Sequence, residues 1–262
     1  MSVPPETVEV DFVTPRHLAG GGDPSWITVP LHRACGWSHG NDPLMPRVLL
    51  SSPDQKALLR LAPDPEGQWH WWTLHHAPAP GQPAWYASFG GPTPVELIAA
   101  VTDTLTDPDP AANAPTDPYE PLRQIAWTPS VGAPGFVSPD GTAYVQRLDN
   151  AEGKPGAWYI TATLGQGRPV WQARFGEHTP VHLVAAFTTA LTDPHPVLRT
   201  AGTRRLPTYD PKLVTRRTTN VLVELVAYAL EERVQSLAAR HTPAPTTPSP
   251  PRRTPPTNGR GR

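Results

Sequence analysis

The clearest hydrophobic pattern in this chain occurs twice. Leu97, Ile98, Val101 and Leu105 fall on a helical period, and Leu183, Val184, Phe187 and Leu191 repeat it. Apolar residues three and four apart line one side of an α-helix, so each stretch predicts an amphipathic helix lying on a core. Both start at Thr-Pro, Thr93-Pro94 and Thr179-Pro180. Thr is a good N-cap and proline suits the first helical position; Glu96 completes a capping box with Thr93. Both end at Leu-Thr-Asp-Pro, because a residue before proline avoids helical geometry.

Upstream of each helix the pattern shortens to strands. Arg47–Leu50, Lys56–Leu61, Gln68–His75 and Ala84–Phe89 are predicted in the first copy. Gly135–Val137, Thr142–Arg147, Ala157–Thr163 and Pro169–Phe175 are their counterparts. Connections this short give an antiparallel meander. A short helix precedes each set, Trp26–Cys35 and Tyr119–Ala126, leading into Trp37 and Trp127.

The two patterns are copies. Residues 52–110 align without a gap on 138–196 at an offset of 86, and 16 of the 26 positions from Trp85 to Pro110 are identical. A repeat this long is a small domain rather than a solenoid unit. It also acts as an internal control: a residue present in both copies serves the shared fold, and one present in a single copy does not.

The expected fold is α+β, two tandem repeats that each read α-β-β-β-β-α with the helix packed on a small antiparallel β-meander. The repeats occupy 8–105 and 119–196, joined by a Pro-rich linker at 106–118. Val8–Phe12 alternates as a half-buried strand does. Asp210-Pro211 can cap a C-terminal amphipathic helix over 210–240, with Val223, Val226, Leu230, Val234 and Leu237 on one face. That helix either packs on the repeats or pairs with a second copy of the chain. Residues 1–7 and the Pro/Arg-rich tail at 241–262 are expected to be disordered.

Composition narrows the function classes. The single cysteine, Cys35, excludes an intrachain disulfide and points to a reducing compartment. No apolar run approaches the about 18 residues of a membrane span, and the N-terminus lacks signal-peptide features; the expectation is a cytoplasmic protein without a membrane partner. Charge is split: residues 1–196 hold 10 basic and 19 acidic side chains, and residues 197–262 hold 12 and 4. The basic cluster Arg204, Arg205, Lys212, Arg216 and Arg217 is a candidate nucleic-acid patch. The competing expectation is that these basic residues fold back on the acidic repeats.

The paired Trp-x-Ala-x-Phe-Gly and Thr-Pro-Val-x-Leu segments, the Leu-Thr-Asp-Pro helix ends and the Ser-Pro-Asp turns carry a resemblance, as does Val13-Thr14-Pro15-Arg16-His17-Leu18-Ala19-Gly20-Gly21-Gly22-Asp23-Pro24. Over about residues 10–196 the chain resembles the actinobacterial family known as domain of unknown function 317, whose members often carry the module twice. The resemblance implies a repeated cytoplasmic module and brings no activity, cofactor or catalytic residue with it.

Candidate chemistry is sparse. Gly36-Trp37-Ser38-His39-Gly40 matches the Gly-x-Ser-x-Gly nucleophile elbow, but that motif works on a strand-to-helix turn, and the second copy has no Ser there. His178 and His182 sit four apart without a third ligand. Six tryptophans form matched pairs (Trp37/Trp127, Trp72/Trp158, Trp85/Trp171) and read as core. The opposite sheet face differs between copies. In copy one it holds Leu58, Trp69, Trp71, Tyr86 and Ser88, and in copy two Tyr144, Pro155, Ala157, Gln172 and Arg174. Leu58, Trp69, Trp71 and Tyr86 are therefore the candidate partner surface. No catalytic, metal or cofactor residue is predicted. The expected function is a non-enzymatic binding or scaffold protein with a protein partner; nucleic-acid association and an enzyme of unrecognised type are the alternatives.

Overall fold

The computed structural model describes residues 5–40, 47–63, 71–109, 116–131, 134–165, 169–203 and 205–241. The first repeat runs α1 (Ser25–Arg33), β2 (Ser38–Gly40), β3 (Val48–Ser51), β4 (Ala57–Leu61), β5 (Trp72–His76), β6 (Trp85–Phe89) and α2 (Val95–Leu105). The second runs α3 (Glu120–Gln124), β7 (Thr128–Pro129), β8 (Gly135–Val137), β9 (Ala143–Asp149), β10 (Pro155–Thr163), β11 (Pro169–Phe175) and α4 (Val181–Thr192). Outside the repeats lie β1 (Thr7–Thr14), a 3-10 turn at Arg16–Leu18, β12 (Val197–Thr200), β13 (Thr215–Leu222) and α5 (Val223–His241).

Each repeat thus has five described strands rather than the four expected. The extra ones, β2 and β7, are two or three residues long and exposed, too short for any alternation to show.

The repeats merge into one antiparallel sheet of ten strands, in the order β2-β3-β4-β5-β6-β11-β10-β9-β8-β7. The seam is β6 against β11, with Ala87 opposite Phe175, Ser88 opposite Arg174 and Phe89 opposite Ala173. Ser88 and Arg174 are each other's equivalents at the 86-residue offset, so a pseudo-twofold axis passes through that pair. Two further bonds obey it: Gly90 N–H donates to the Gln172 carbonyl (3.0 Å) and Gly176 N–H to the Tyr86 carbonyl (2.8 Å). The two tandem repeats thus share one pseudo-symmetric sheet.

One face of this sheet is the core. Leu59, Leu74, Ala87, Phe89, Val145, Ile160, Ala173 and Phe175 alternate inward and are buried, together with Leu97, Ile98, Val101, Leu183, Val184 and Phe187 of α2 and α4. All six paired tryptophans are buried. Phe187 stands edge-on to Phe175 and Trp171 and stacks on Phe89, joining both copies through one aromatic cluster.

The Ser-Pro-Asp repeats have a local reason. Ser52 Oγ donates to Asp54 and accepts the Ala57 N–H (2.8 Å), while Asp54 accepts the Lys56 N–H (3.1 Å). Ser138 and Asp140 repeat all three bonds. The next residue in each turn is left-handed, Gln55 at φ 60° and Gly141 at φ 71°. Likewise Ala126 at φ 63° stands where the first copy has Gly36 at φ 68°. A Cβ in this region costs about 1–2 kcal/mol. Gln55→Gly and Ala126→Gly are each expected to raise stability by about 0.5–1 kcal/mol after the entropy of glycine is deducted, read from urea midpoints; loss of stability in both would contradict the strain.

Burial pushes the Asp140 carboxyl up, but bonds from His17, Ser138 and Thr142 outweigh it and hold it well below the usual carboxylate range. A depressed folded-state pKa contributes stability that is present above the ordinary carboxylate value and lost as pH falls through it. Asp140→Asn is therefore expected to flatten the loss of stability below about pH 4, measured by denaturation at stepped pH; an unchanged acid limb would rule this out.

The remaining elements depart most from expectation. β1 does not join the first repeat. It is the central strand of a three-stranded antiparallel sheet, β12-β1-β13, over a second small core of Val13, Leu18, Ala19, Val197 and Val214. Thr7 already belongs to β1, and the Glu6 carbonyl accepts the Val223 N–H, so these residues are ordered, contrary to expectation; residues 1–4 and 242–262 lie outside the described residues. Nor does the C-terminal helix begin at Asp210. Residues 215–222, Thr-Arg-Arg-Thr-Thr-Asn-Val-Leu, pair with β1 along its whole length, as their β-branched content favours. The Asp210 carboxylate closes a turn on Lys212 N–H (2.9 Å), and the helix starts at Val223.

The expected capping box at α2 is also absent. The Val95 N–H is taken by the Gly21 carbonyl (2.8 Å), and Glu96 turns to Arg199. The buried Thr93 hydroxyl has no partner among the described residues. Glycine-rich residues 20–22 thus serve as a tertiary cap.

The C-terminal half of α5 packs on α1. Pro30, inside α1, lacks the N–H that would bond the Trp26 carbonyl; Arg233 Nε fills it instead (2.9 Å). The same guanidinium holds Asp103 through two bonds (2.8 and 2.9 Å), so basic residues of the C-terminal region do meet an acidic residue of the repeats. No helix among the described residues is long and apolar enough to cross a membrane.

Candidate binding site on the sheet face opposite the helices

The helices share one side of the ten-stranded sheet; on the opposite side Leu58 and Tyr144 are exposed, Tyr86, Tyr159 and Arg174 are half-buried and Ser88 is buried. Tyr86 on β6, Arg174 on β11 and Tyr159 on β10 meet there. Arg174 lies directly across from Tyr159 and diagonally from Tyr86. Its guanidinium carbon is 5.3 Å from the Tyr86 ring centroid and 5.6 Å from that of Tyr159, within cation–π range of both. Tyr86 is held by its backbone, its carbonyl accepting from Gly176 N–H and from Thr179 Oγ1 (3.0 Å). On its other side it stacks on His75. Each repeat thus supplies one tyrosine to a single arginine.

Arg174 has ring contacts and no hydrogen-bond acceptor among the described residues; its Nε is buried and unpartnered. A buried donor left unsatisfied is costly. Arg174 lines a cavity of about 410 Å³ with Tyr86, Tyr159, Asp149, Glu177 and His178. Asn150 builds the rim: its carbonyl oxygen accepts the Glu152 and Lys154 N–H groups, and its amide donates to Glu177 (3.1 Å). No ion pair joins Arg174 to Asp149 or Glu177 among the described residues.

The predicted partner surface is only partly here. Tyr86 lies in the site. Leu58 is on the same face, 38% exposed, but three strands from Arg174 in the sheet order. Trp71 is half-buried and packed on the main core, its indole against Gly91. Trp69 lies outside the described residues. The site's arginine and second tyrosine were not among the predicted residues, although the internal control marks both: copy one has Ser88 in place of Arg174 and Thr73 in place of Tyr159.

Of the predicted basic patch, Arg205, Lys212, Arg216 and Arg217 are exposed, and Arg204 lies outside the described residues. Arg216 is 3.6 Å from the buried Asp11 carboxylate and sits over Tyr209, and Arg217 lies over Phe12. Ser38 opens the edge strand β2 and its hydroxyl donates to the Ser51 carbonyl at 3.4 Å, not at a strand-to-helix turn. His178 lines the cavity, while His182 on α4 has its pKa lowered by burial. No cluster of three potential metal ligands occurs among the described residues.

No curated protein and no solved structure matches the chain. The family model described as domain of unknown function (DUF317), also termed SPDY, matches residues 51–111 and 137–197. Those stretches span β4 to α2 and β9 to α4, at the 86-residue offset read from the sequence, while β1, β13 and α5 lie outside them. The chain carries the domain of unknown function 317 module twice, in tandem.

Proposed function

We propose that this protein is a non-enzymatic binding module whose contact surface is the face of the ten-stranded sheet opposite the helices. The observation that carries the reading is the one-sided helix layer. It leaves exposed Leu58 and Tyr144 and half-buried Tyr86, Tyr159 and Arg174 on a face shared by both repeats, and aromatics and arginine are the residues that anchor protein contacts. A photo-crosslinking residue at Tyr144, compared with one at exposed Ala239 on α5, tests it in cells that make the protein. A discrete adduct from Tyr144 alone is expected; adducts from neither position, or equally from both, would remove the support.

On this reading Ser38 is not a nucleophile. A fluorophosphonate probe is expected to leave the chain unlabelled, and labelling lost in Ser38→Ala would overturn it.

A second reading, nucleic-acid association, is favoured by one observation: Arg205, Lys212, Arg216 and Arg217 are exposed on and beside the three-stranded sheet. Phosphate binding weakens steeply with salt. Duplex affinity that falls steeply between low and physiological salt and is lost in Arg216→Ala/Arg217→Ala would support this second reading over the first.

A further inference from the structure

We infer that the cavity around Arg174 recognises a carboxylate, presented by an acidic side chain or a chain terminus of the partner, with a cationic group beside it. The inference rests on the sheet-face proposal for its partner and on the geometry of Arg174 for its chemistry.

Three features select this ligand. Arg174 is flanked by two aromatic rings, which hold the guanidinium in place, and it has no hydrogen-bond acceptor among the described residues, its buried Nε included. A planar fork of donors fits a carboxylate in bidentate fashion. The same cavity is lined by Asp149 and Glu177, which would repel a dianionic phosphate held by one arginine but attract a cation next to the bound carboxylate. Finally, the pseudo-twofold axis makes two equivalent sites available, and only one has the machinery. The mirror position combines Ser88, Gln172 and Thr73 in place of Arg174, Tyr86 and Tyr159. A scaffold role of the seam would be served by either set, since both occupy the same paired strands; a guanidinium without an acceptor among the described residues is confined to one.

The test is nuclear magnetic resonance of the full chain, following the Arg174 side-chain Nε–H signal and the backbone amides of Tyr159 and Gly176. The probes are a capped tripeptide with glutamate beside lysine, a dipeptide with a free C-terminus, the glutamine analogue of the first, and inorganic phosphate. Saturable shifts at millimolar concentration are expected from the first two, and the tighter of them identifies a side-chain or a terminal source. Arg174→Lys, which keeps the charge and loses the fork, is expected to weaken binding about tenfold. Arg174→Ser, the residue copy one uses at the axis, is expected to abolish it; thermal melting confirms that both variants fold. Shifts from phosphate alone, equal shifts from the glutamine analogue, or amide shifts that persist in Arg174→Ser would each overturn the inference, as would no shift at all. Failure here together with a Tyr144 crosslink leaves the sheet-face reading intact, whereas carboxylate binding without a crosslink removes that reading and keeps the site.

Discussion

Arg199→Ala is expected to destabilise the protein by about 3–5 kcal/mol, the range for breaking a buried ion pair from one side. Arg199 is 1% exposed, and all five of its N–H donors are used. Nε donates to the Ala19 carbonyl (2.9 Å), one terminal nitrogen to Leu198 and Glu96 (2.8 and 2.7 Å), and the other to Gly20 and Glu96 (3.0 and 2.9 Å). Alanine would strand three carbonyls and leave the Glu96 carboxylate, on the first turn of α2, without its partner. It would also release residues 19–22, whose Gly21 carbonyl caps α2. Arg199→Lys should recover only part, having three donors for five contacts. Urea denaturation measures both. A loss under about 1 kcal/mol for Arg199→Ala, as for a surface pair, would show that this guanidinium does not tie the small sheet to the repeats.

The second large effect belongs to Trp171. Deleting a buried tryptophan side chain costs about 3–5 kcal/mol, and Trp171 is fully buried against Phe187. It also donates its indole N–H to the His17 carbonyl at 2.8 Å, so Trp171→Ala leaves that carbonyl unpaired at a further cost of about 1–3 kcal/mol. Trp85, its equivalent in the first copy, is buried and stacks on His76 but makes no such bond among the described residues. Trp171→Ala is therefore expected to exceed Trp85→Ala, with both measured by denaturant midpoint in the same buffer. Equal losses would mean that the bond to His17 contributes nothing beyond packing.

Both residues share a location that the chain pattern could not reveal. Trp171 was legible as core because its counterpart is also Trp and strand alternation points both inward. Its bond to His17 spans 154 residues and leaves no trace in local spacing. Arg199 read only as one more basic residue of the C-terminal region. Glu96 fits half of a capping box by local spacing, but a long-range partner, the buried Arg199, offers its carboxylate a two-donor fork instead. For the candidate site, the duplication flagged Ser88/Arg174 as divergent, and face alternation placed both residues opposite the core. What could not be read was that these two positions face each other across a seam, bringing Tyr159 of one copy within reach of Tyr86 of the other.

Elements whose cause is local follow from the order of residues along the chain. Helices α2 and α4 follow from apolar spacing and a proline stop, and the Ser-Pro-Asp turns from side chains that bond their own backbone. The alternating strands and the duplication follow in the same way. The tertiary structure alone decided what pairs with what. An edge strand offers the same backbone donors and acceptors to any partner, so β6 pairing with β11 depends on the whole surfaces that the two repeats bring together. Likewise residues 215–222, just ahead of the apolar stripe that starts at Val223, could extend the helix or, with their β-branched composition, form a strand. The open edge of β1 settles the choice, because pairing along eight residues satisfies backbone groups that a longer solvent-exposed helix would gain nothing by withdrawing.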